Sequence, residues 1–350
     1  MATFVEGRVV EVRRDRPGYQ QVLIEREGAG SPEKAYVVTA LTGSVAVGDE
    51  VLANTTAVDL ALGTGGSHVV SVNLSRGAYR TPGGGHIMKL RYTPMQLDTG
   101  AAEEHLDDLP DTLDAAVVVA CTLHSQVPLV VLGALAEHPD LRIAYVMTDG
   151  AALPLALSEL VVGMVDAGLL AAGTITAGHA FGGMREAVGV PSALTLACHD
   201  AGADLVVVGM GPGVVGTSHR LGTTALEAAP ILDTAEALGG RGVLCVRASE
   251  GDGRARHRGM SHHSATILDL VRSRVTVPVP PKLRAELDPW QDRHRIVEVD
   301  GVDAIDLLDR AGLRVTTMGR GPDEDRLFFD TAAAAGRCAA AMVTNGGPRG

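Results

Sequence analysis

Asp204-Leu-Val-Val-Val-Gly-Met-Gly-Pro-Gly-Val-Val-Gly-Thr217 reads as a strand running into a glycine-rich turn. Leu205 to Val208 form an uninterrupted apolar run, the pattern of a strand buried on both faces. Glycines follow at 209, 211, 213 and 216, then Thr217, and an Ala- and Leu-rich helical segment spans Thr223 to Leu238. Glycines between a strand and a helix let backbone N–H groups approach an anion, and the helix N-terminus adds partial positive charge. Gly211, Gly213, Gly216 and Thr217 are therefore the expected anion-holding residues. The competing reading of this loop is a tight structural turn.

The same strand-like pattern recurs at 115–121, 142–147, 173–177, 242–247 and 274–279, with helical stretches between. A repeat of roughly thirty residues is the length of a strand plus its crossover helix. Further on, Val302–Ala311 reads as a helix, Arg314–Met318 as a strand and Thr331–Val343 as a terminal helix, with Gly346–Gly350 disordered. Before this region lie short β-branched runs at Val5–Val12, Gln21–Glu25, Lys34–Thr39, Val47–Leu52 and Ser67–Asn73, separated by turn residues. The expected fold class is α/β: a small N-terminal β-barrel (1–100), a linker (101–112) and a Rossmann-like, mainly parallel sheet domain with helices on both faces (113–345).

The chain has 350 residues and a formal net charge of -12, which argues against a general nucleic-acid or acidic-membrane binder. Cys121, Cys198, Cys245 and Cys338 are far apart in sequence and form no CxxC pair, so buried reduced thiols are expected. Neither a leader peptide nor a membrane span is visible, and a cytoplasmic location is expected. Gly211, Gly213 and Gly216 match G-x-G-x-x-G in spacing. They follow about the fourth strand of the domain, without the acidic residue that a dinucleotide fingerprint places about 20 residues on. No cofactor is named by the sequence.

Arg254-Ala-Arg-His-Arg-Gly-Met-Ser-His-His-Ser264 packs three arginines, three histidines and two serines into eleven residues. Arginine forks suit phosphate or carboxylate, so Arg256 and Arg258 are expected to neutralise the ligand. His262 or His263 is the expected acid–base group, and Ser261 or His262 the cap of the following helix. The bland alternative is a solvated loop. Other polar groups sit at predicted strand ends: His124 and Asp149, expected in the catalytic set, and His179, expected to bind the ligand. Asp149 is expected to orient the base or bind metal. These three, with His262 or His263, also form a candidate mixed His/Asp metal set, although the identity of any metal stays open. The strand ends 122–126, 148–150, 176–183, 209–217 and 249–252 are expected to converge on one crevice, the usual ligand site of an open parallel sheet.

Five motifs together resemble the bacterial domain-of-unknown-function 3866 family. They are Asn54-Thr-Thr-Ala-Val-Asp-Leu-Ala-Leu-Gly-Thr-Gly-Gly66, Gly85-His-Ile-Met-Lys-Leu-Arg-Tyr-Thr-Pro94, Gly178-His-Ala-Phe-Gly-Gly183, Gly211-Pro-Gly-Val-Val-Gly-Thr217 and His257-Arg-Gly-Met-Ser-His-His263. The resemblance supports grouping these loops and implies no particular reaction. The functional expectation is an enzyme acting on a phosphorylated or carboxylated metabolite or nucleotide. Its expected partner is a small-molecule anion, with no nucleic acid and no membrane, and homo-oligomerisation is left open. The alternative is a non-catalytic metabolite sensor or scaffold using the same cleft.

Overall fold

A computed structural model describes residues 2–62, 65–80, 83 and 85–345. Gly63 and Thr64 of the Asn54–Gly66 motif, Gly84, and the tail 346–350 lie outside the described residues. The chain divides into two compact units, Met1–Gly100 and Ala101–Gly350.

The first unit is a closed five-stranded barrel: β1 (Phe4–Arg16), β2 (Tyr19–Glu25), β3 (Glu33–Val38), β4 (Glu50–Asn54) and β5 (His68–Asn73), in the order β1-β2-β3-β5-β4. β1 bends through register shifts at Val9/Glu11 and Val12/Arg14, so one long strand pairs with both β2 and β4. The β3–β5 pair is parallel, the other four antiparallel. Alternating residues fill the interior: Val9, Val22, Ile24, Ala35, Val37, Val51, Ala53 and Val70. Short helices α1 (Thr39–Thr42) and α2 (Thr56–Asp59) and a hairpin, β6 (Met88–Lys89) with β7 (Leu97–Asp98), complete the unit.

The second unit is built on eight parallel strands: β8 (Val117–Cys121), β9 (Ile143–Thr148), β10 (Gly173–Thr176), β11 (Arg185–Glu186), β12 (Leu205–Met210), β13 (Arg241–Cys245), β16 (Thr276–Val279) and β17 (Arg295–Glu298). Their order is β11-β10-β9-β12-β8-β13-β16-β17. A hairpin of β14 (Ala248–Ser249) and β15 (Gly259–Met260) stands apart from this sheet. The fold class thus matches the expectation, and all six apolar runs are strands.

Two positions differ from the sequence reading. Arg314–Met318 is not a strand; it forms only an isolated bridge, Thr317 to Arg320. The sheet edge is instead β17, whose half-exposed Arg-Ile-Val-Glu lacks the apolar run that marks a central strand. The helices read at 302–311 and 331–343 are α8 (Ala304–Ala311) and α9 (Arg326–Asn345). Residues 101–112 fall within the second unit. Glu103 accepts from the Val188 N–H (2.9 Å), and Leu106 and Leu109 pack on its core.

Period-two alternation divides the core into two layers. Val118, Ala120, Val206, Val208 and Leu244 face α5 (Val190–Thr195), α6 (Ala228–Ala237) and α7 (His262–Leu270). Val117, Val119, Tyr145, Val207 and Val243 face α3 (Val127–Glu137), α4 (Glu159–Asp166), α8 and α9. α3 and α4 carry the chain toward the β11 edge on one face, and α5, α6 and α7 toward the β17 edge on the other. A single crossover hand requires that split. β8 and β12 are therefore neighbours whose following helices leave in opposite directions, which makes their junction the topological switch point of the sheet.

Candidate functional site

At the switch point Met210 ends β12 and His124 lies three residues past the end of β8. The His124 Nδ1 lies 3.0 Å from the Met210 carbonyl, and its Nε2 lies 2.6 Å from Ser158 Oγ. Ser158 also caps α4, accepting the Val161 N–H at 3.0 Å. One neutral tautomer satisfies this network: Nδ1–H donates to the carbonyl and the Ser158 hydroxyl donates to Nε2. Burial pushes the His124 pKa down to about 4. Both nitrogens thus have partners, and His124 is not among the clustered histidines His257, His262 and His263.

Asp149 and His179 meet at a second place. The Asp149 carboxylate accepts the His179 backbone N–H at 2.9 Å. Beside them is Glu227, four residues past the helix cap Thr223. Glu227 accepts from Thr148 Oγ1 at 2.6 Å, and burial, with a further push from Asp149, raises its carboxyl to about 7. The sequence reading missed Glu227. Its position in the first turn of the helix after the glycine loop was the available signal, but acidic residues there are common caps.

The third place brings the glycine loop together with the Arg254–Ser264 segment. Ser261, fully buried, caps α7 by accepting the His263 N–H at 3.3 Å. That cap fixes His262 and His263 on the first turn. His257 ends a 3-10 turn (Ala255–His257), with its Nδ1 2.8 Å from Ser261 Oγ. The three rings cluster at tilted and edge-on angles with centroids 4.3–5.1 Å apart, and each offers a nitrogen within 4.8 Å of those of the other two. The His262 Nε2 and both His263 nitrogens are buried with no hydrogen-bond partner among the described residues. Burial, then the nearby Arg247, hold His257 down at about 3; burial, then His262, hold His263 at about 4; His262 is lowered as well, first by burial. All three rings are thus neutral at pH 7. A neutral imidazole can accept a proton, and it is also the metal-coordinating form.

His257 and His263 line a cavity of about 300 Å³ together with Val214–Thr217, Thr223, Arg247, Arg254, Arg256 and Met318. Asp252, 2 % exposed, grips Arg254 through a two-pronged fork (2.9 and 2.8 Å) and Arg247 at 3.1 Å. The Arg254 fork, above all, keeps the Asp252 carboxyl well below the usual carboxylate range. Arg320 spans Asp252 and the fully buried Asp325. Arg256 is exposed and pairs with no carboxylate among the described residues. Four guanidinium groups against two carboxylates leave this wall net positive in a chain of charge -12.

The glycine loop divides its labour. A Cβ at Gly211 would sit 2.6 Å from the Ala152 carbonyl, so that glycine permits close backbone packing. Gly213 has φ +102° and open space around it; it is a turn glycine. Gly216 lies against His263, with a Cβ 3.4 Å from its Cε1. The Thr217 N–H is already spent on the Gly222 carbonyl at 2.7 Å. Residues Val214–Thr217 of the loop form one wall of the cavity. Arg258 donates to the Asp252 carbonyl at 3.0 Å and does not line the cavity. Its place is taken by Arg247 and Arg254.

A family model described as "Protein of unknown function (DUF3866)" matches residues 34–336. The chain belongs to the DUF3866 family. No curated protein matches it. The span shared with DUF3866 starts in β3, so β1 and β2 of the barrel precede it. It takes in the glycine loop, the arginine wall and the histidine trio, and it ends inside α9.

Proposed function

We propose that this chain is an enzyme acting on a phosphorylated or carboxylated small molecule held in the arginine-walled cavity of the second unit. One observation carries the reading: Arg247, Arg254 and the unpaired Arg256 share a cavity with two of three clustered, neutral imidazoles. The first two arginines are fixed in place by Asp252 and set a positive field. Arg256 is free to fork onto the anion. The loop 214–217 and Thr223 bound the other side, and the imidazoles stand where the reacting part of the ligand would lie. Asp149 and Glu227 form a separate carboxylate pair outside this cavity. Cys121 and Cys245 sit side by side on β8 and β13 as thiols, and all four cysteines are free and buried, which suits the reducing cytoplasm. No helix among the described residues is long and apolar enough to cross a membrane.

The test is calorimetric titration of the full chain with inorganic phosphate, a nucleoside monophosphate and a dicarboxylate. Arg256→Ala should weaken the best of them by about 1.5–3 kcal/mol, the size of a charge-assisted hydrogen bond, while Arg258→Ala leaves affinity near the parent value. Equal losses at both positions would move the ligand off the cavity. Tight binding with no turnover of any bound compound would remove the catalytic half and favour a sensor.

A further inference from the structure

We propose that His257, His262 and His263 form a binding site for one divalent transition-metal ion of the zinc class, with an open coordination position facing the arginine-walled cavity. Among the described residues these are the His, Cys, Asp or Glu side chains that converge as a group of three.

Four observations support the assignment. First, the geometry is close to closure. Metal–nitrogen bonds of about 2.0–2.1 Å put tetrahedral nitrogens ~3.3 Å apart, and the present spacing of up to 4.8 Å needs only small side-chain rotations to reach that. Second, the nitrogens lack other work. His263 is 5 % exposed, yet neither of its ring nitrogens has a partner among the described residues, and the same holds for His262 Nε2. Buried polar atoms are normally satisfied, so unpartnered nitrogens on two adjoining rings indicate a missing partner. Third, the outer support is built. Ser261 Oγ faces His257 Nδ1 at 2.8 Å, which leaves Nε2 for the metal, and the helix cap fixes the serine. A ligating imidazole almost always gives its other N–H to such an oxygen. Fourth, the donor set is chemically selective. Three imidazoles with no carboxylate or thiolate suit zinc, copper, iron or nickel rather than magnesium or calcium.

Three protein ligands plus an open position are the mark of a catalytic metal site, whereas structural sites are closed by a fourth protein ligand. The cavity supplies that opening, because His257 and His263 line it. The arginine wall repels a bare cation, so an anion in the cavity should tighten the metal. That last coupling alone rests on the proposed function.

The experiment uses the full chain stripped with a chelator and titrated with Co²⁺ or Zn²⁺ alone, in buffer free of phosphate. One equivalent of Co²⁺ should bind with the visible absorption of four- or five-coordinate cobalt, and Zn²⁺ should displace it one for one. His257→Ala and His263→Ala should each weaken binding at least ~100-fold, and Ser261→Ala about 10-fold, within the usual range for an outer partner. Near-ultraviolet dichroism checks that each variant is folded. X-ray absorption on the zinc-loaded parent gives the imidazole count without any variant. Fewer than three imidazoles, binding no tighter than an isolated surface histidine offers, or undiminished affinity in a folded His263→Ala would overturn the proposal. Phosphate titration of the metal-free protein separates the two readings. Phosphate binding without metal binding leaves the proposed function standing, and metal binding without any anion binding leaves the metal site standing.

Discussion

Glu227→Gln should change how the stability of the second unit depends on pH. The wild-type carboxyl is raised from 4.5 to about 7, chiefly because burial penalises its charged form. Between those values the folded state keeps a proton that the unfolded state has released. Stability from this group is therefore present in full below about pH 4.5 and is lost as pH rises through about 7. Each pKa unit is worth about 1.4 kcal/mol, so the loss amounts to about 3 kcal/mol, and the slope at mid-window approaches that per-unit value. A glutamine still accepts from Thr148 Oγ1, now at 2.6 Å, and it cannot ionise. Urea unfolding at intervals from about pH 5 to about pH 8, followed by fluorescence of Trp290, measures both proteins. Trp290 is the sole tryptophan and belongs to the second unit. The variant should gain about 3 kcal/mol on the wild type across that window, from near parity or slightly below at the acid end. Parallel curves would refute a buried, proton-holding Glu227.

Three further outcomes follow from the packing. Gly133→Ala should destabilise by about 2–4 kcal/mol in the same assay, since a methyl there collides with the Ala333 carbonyl where α3 crosses α9. His124→Phe should cost about 1–3 kcal/mol by leaving Ser158 without its ring partner, and it should leave Co²⁺ affinity unchanged; a lost cobalt spectrum would return His124 to the metal set. Gly213→Ala should lower stability by about 1–3 kcal/mol through its φ of +102°. Because nothing lies within 4 Å of the added methyl, phosphate affinity of the folded variant, measured calorimetrically, should stay within about 3-fold of the parent.

The central sheet was legible because its strands are buried on both faces. Val117–Cys121, Ile143–Thr148 and Leu205–Met210 are fully buried, and such runs need no alternation to be recognised. The edges were not legible for the complementary reason. Arg185–Glu186 and Arg295–Glu298 carry charged residues, as edge strands do, and so look like loops in sequence. The start of α9 was placed late because Arg326–Asp330 mixes charge with Phe328 and Phe329. The alanine stretch that follows gives the stronger helical signal.

The site divides along the same physical line. Local sequence density revealed the Arg254–Ser264 segment and limited the helix cap to Ser261 or His262, of which Ser261 is the cap. What sequence spacing cannot give is which strand ends share a side of the crevice. Asp149, His179 and Glu227 gather beyond β9 and β10, whereas the histidine trio gathers around β13 and α7, and His124 closes the junction of β8 with β12. Arg247 was invisible because a lone arginine two residues past an apolar strand resembles any strand terminus. It acquires meaning only beside Asp252, when three arginines are seen to hold two carboxylates and to leave a positive wall. Charge balance then restricts what can occupy the space. A cation on the imidazoles is unfavourable beside that wall alone, and an anion at the wall has no reacting group alone. Each makes the other's binding less costly, so metal and anion should bind with positive, reciprocal coupling.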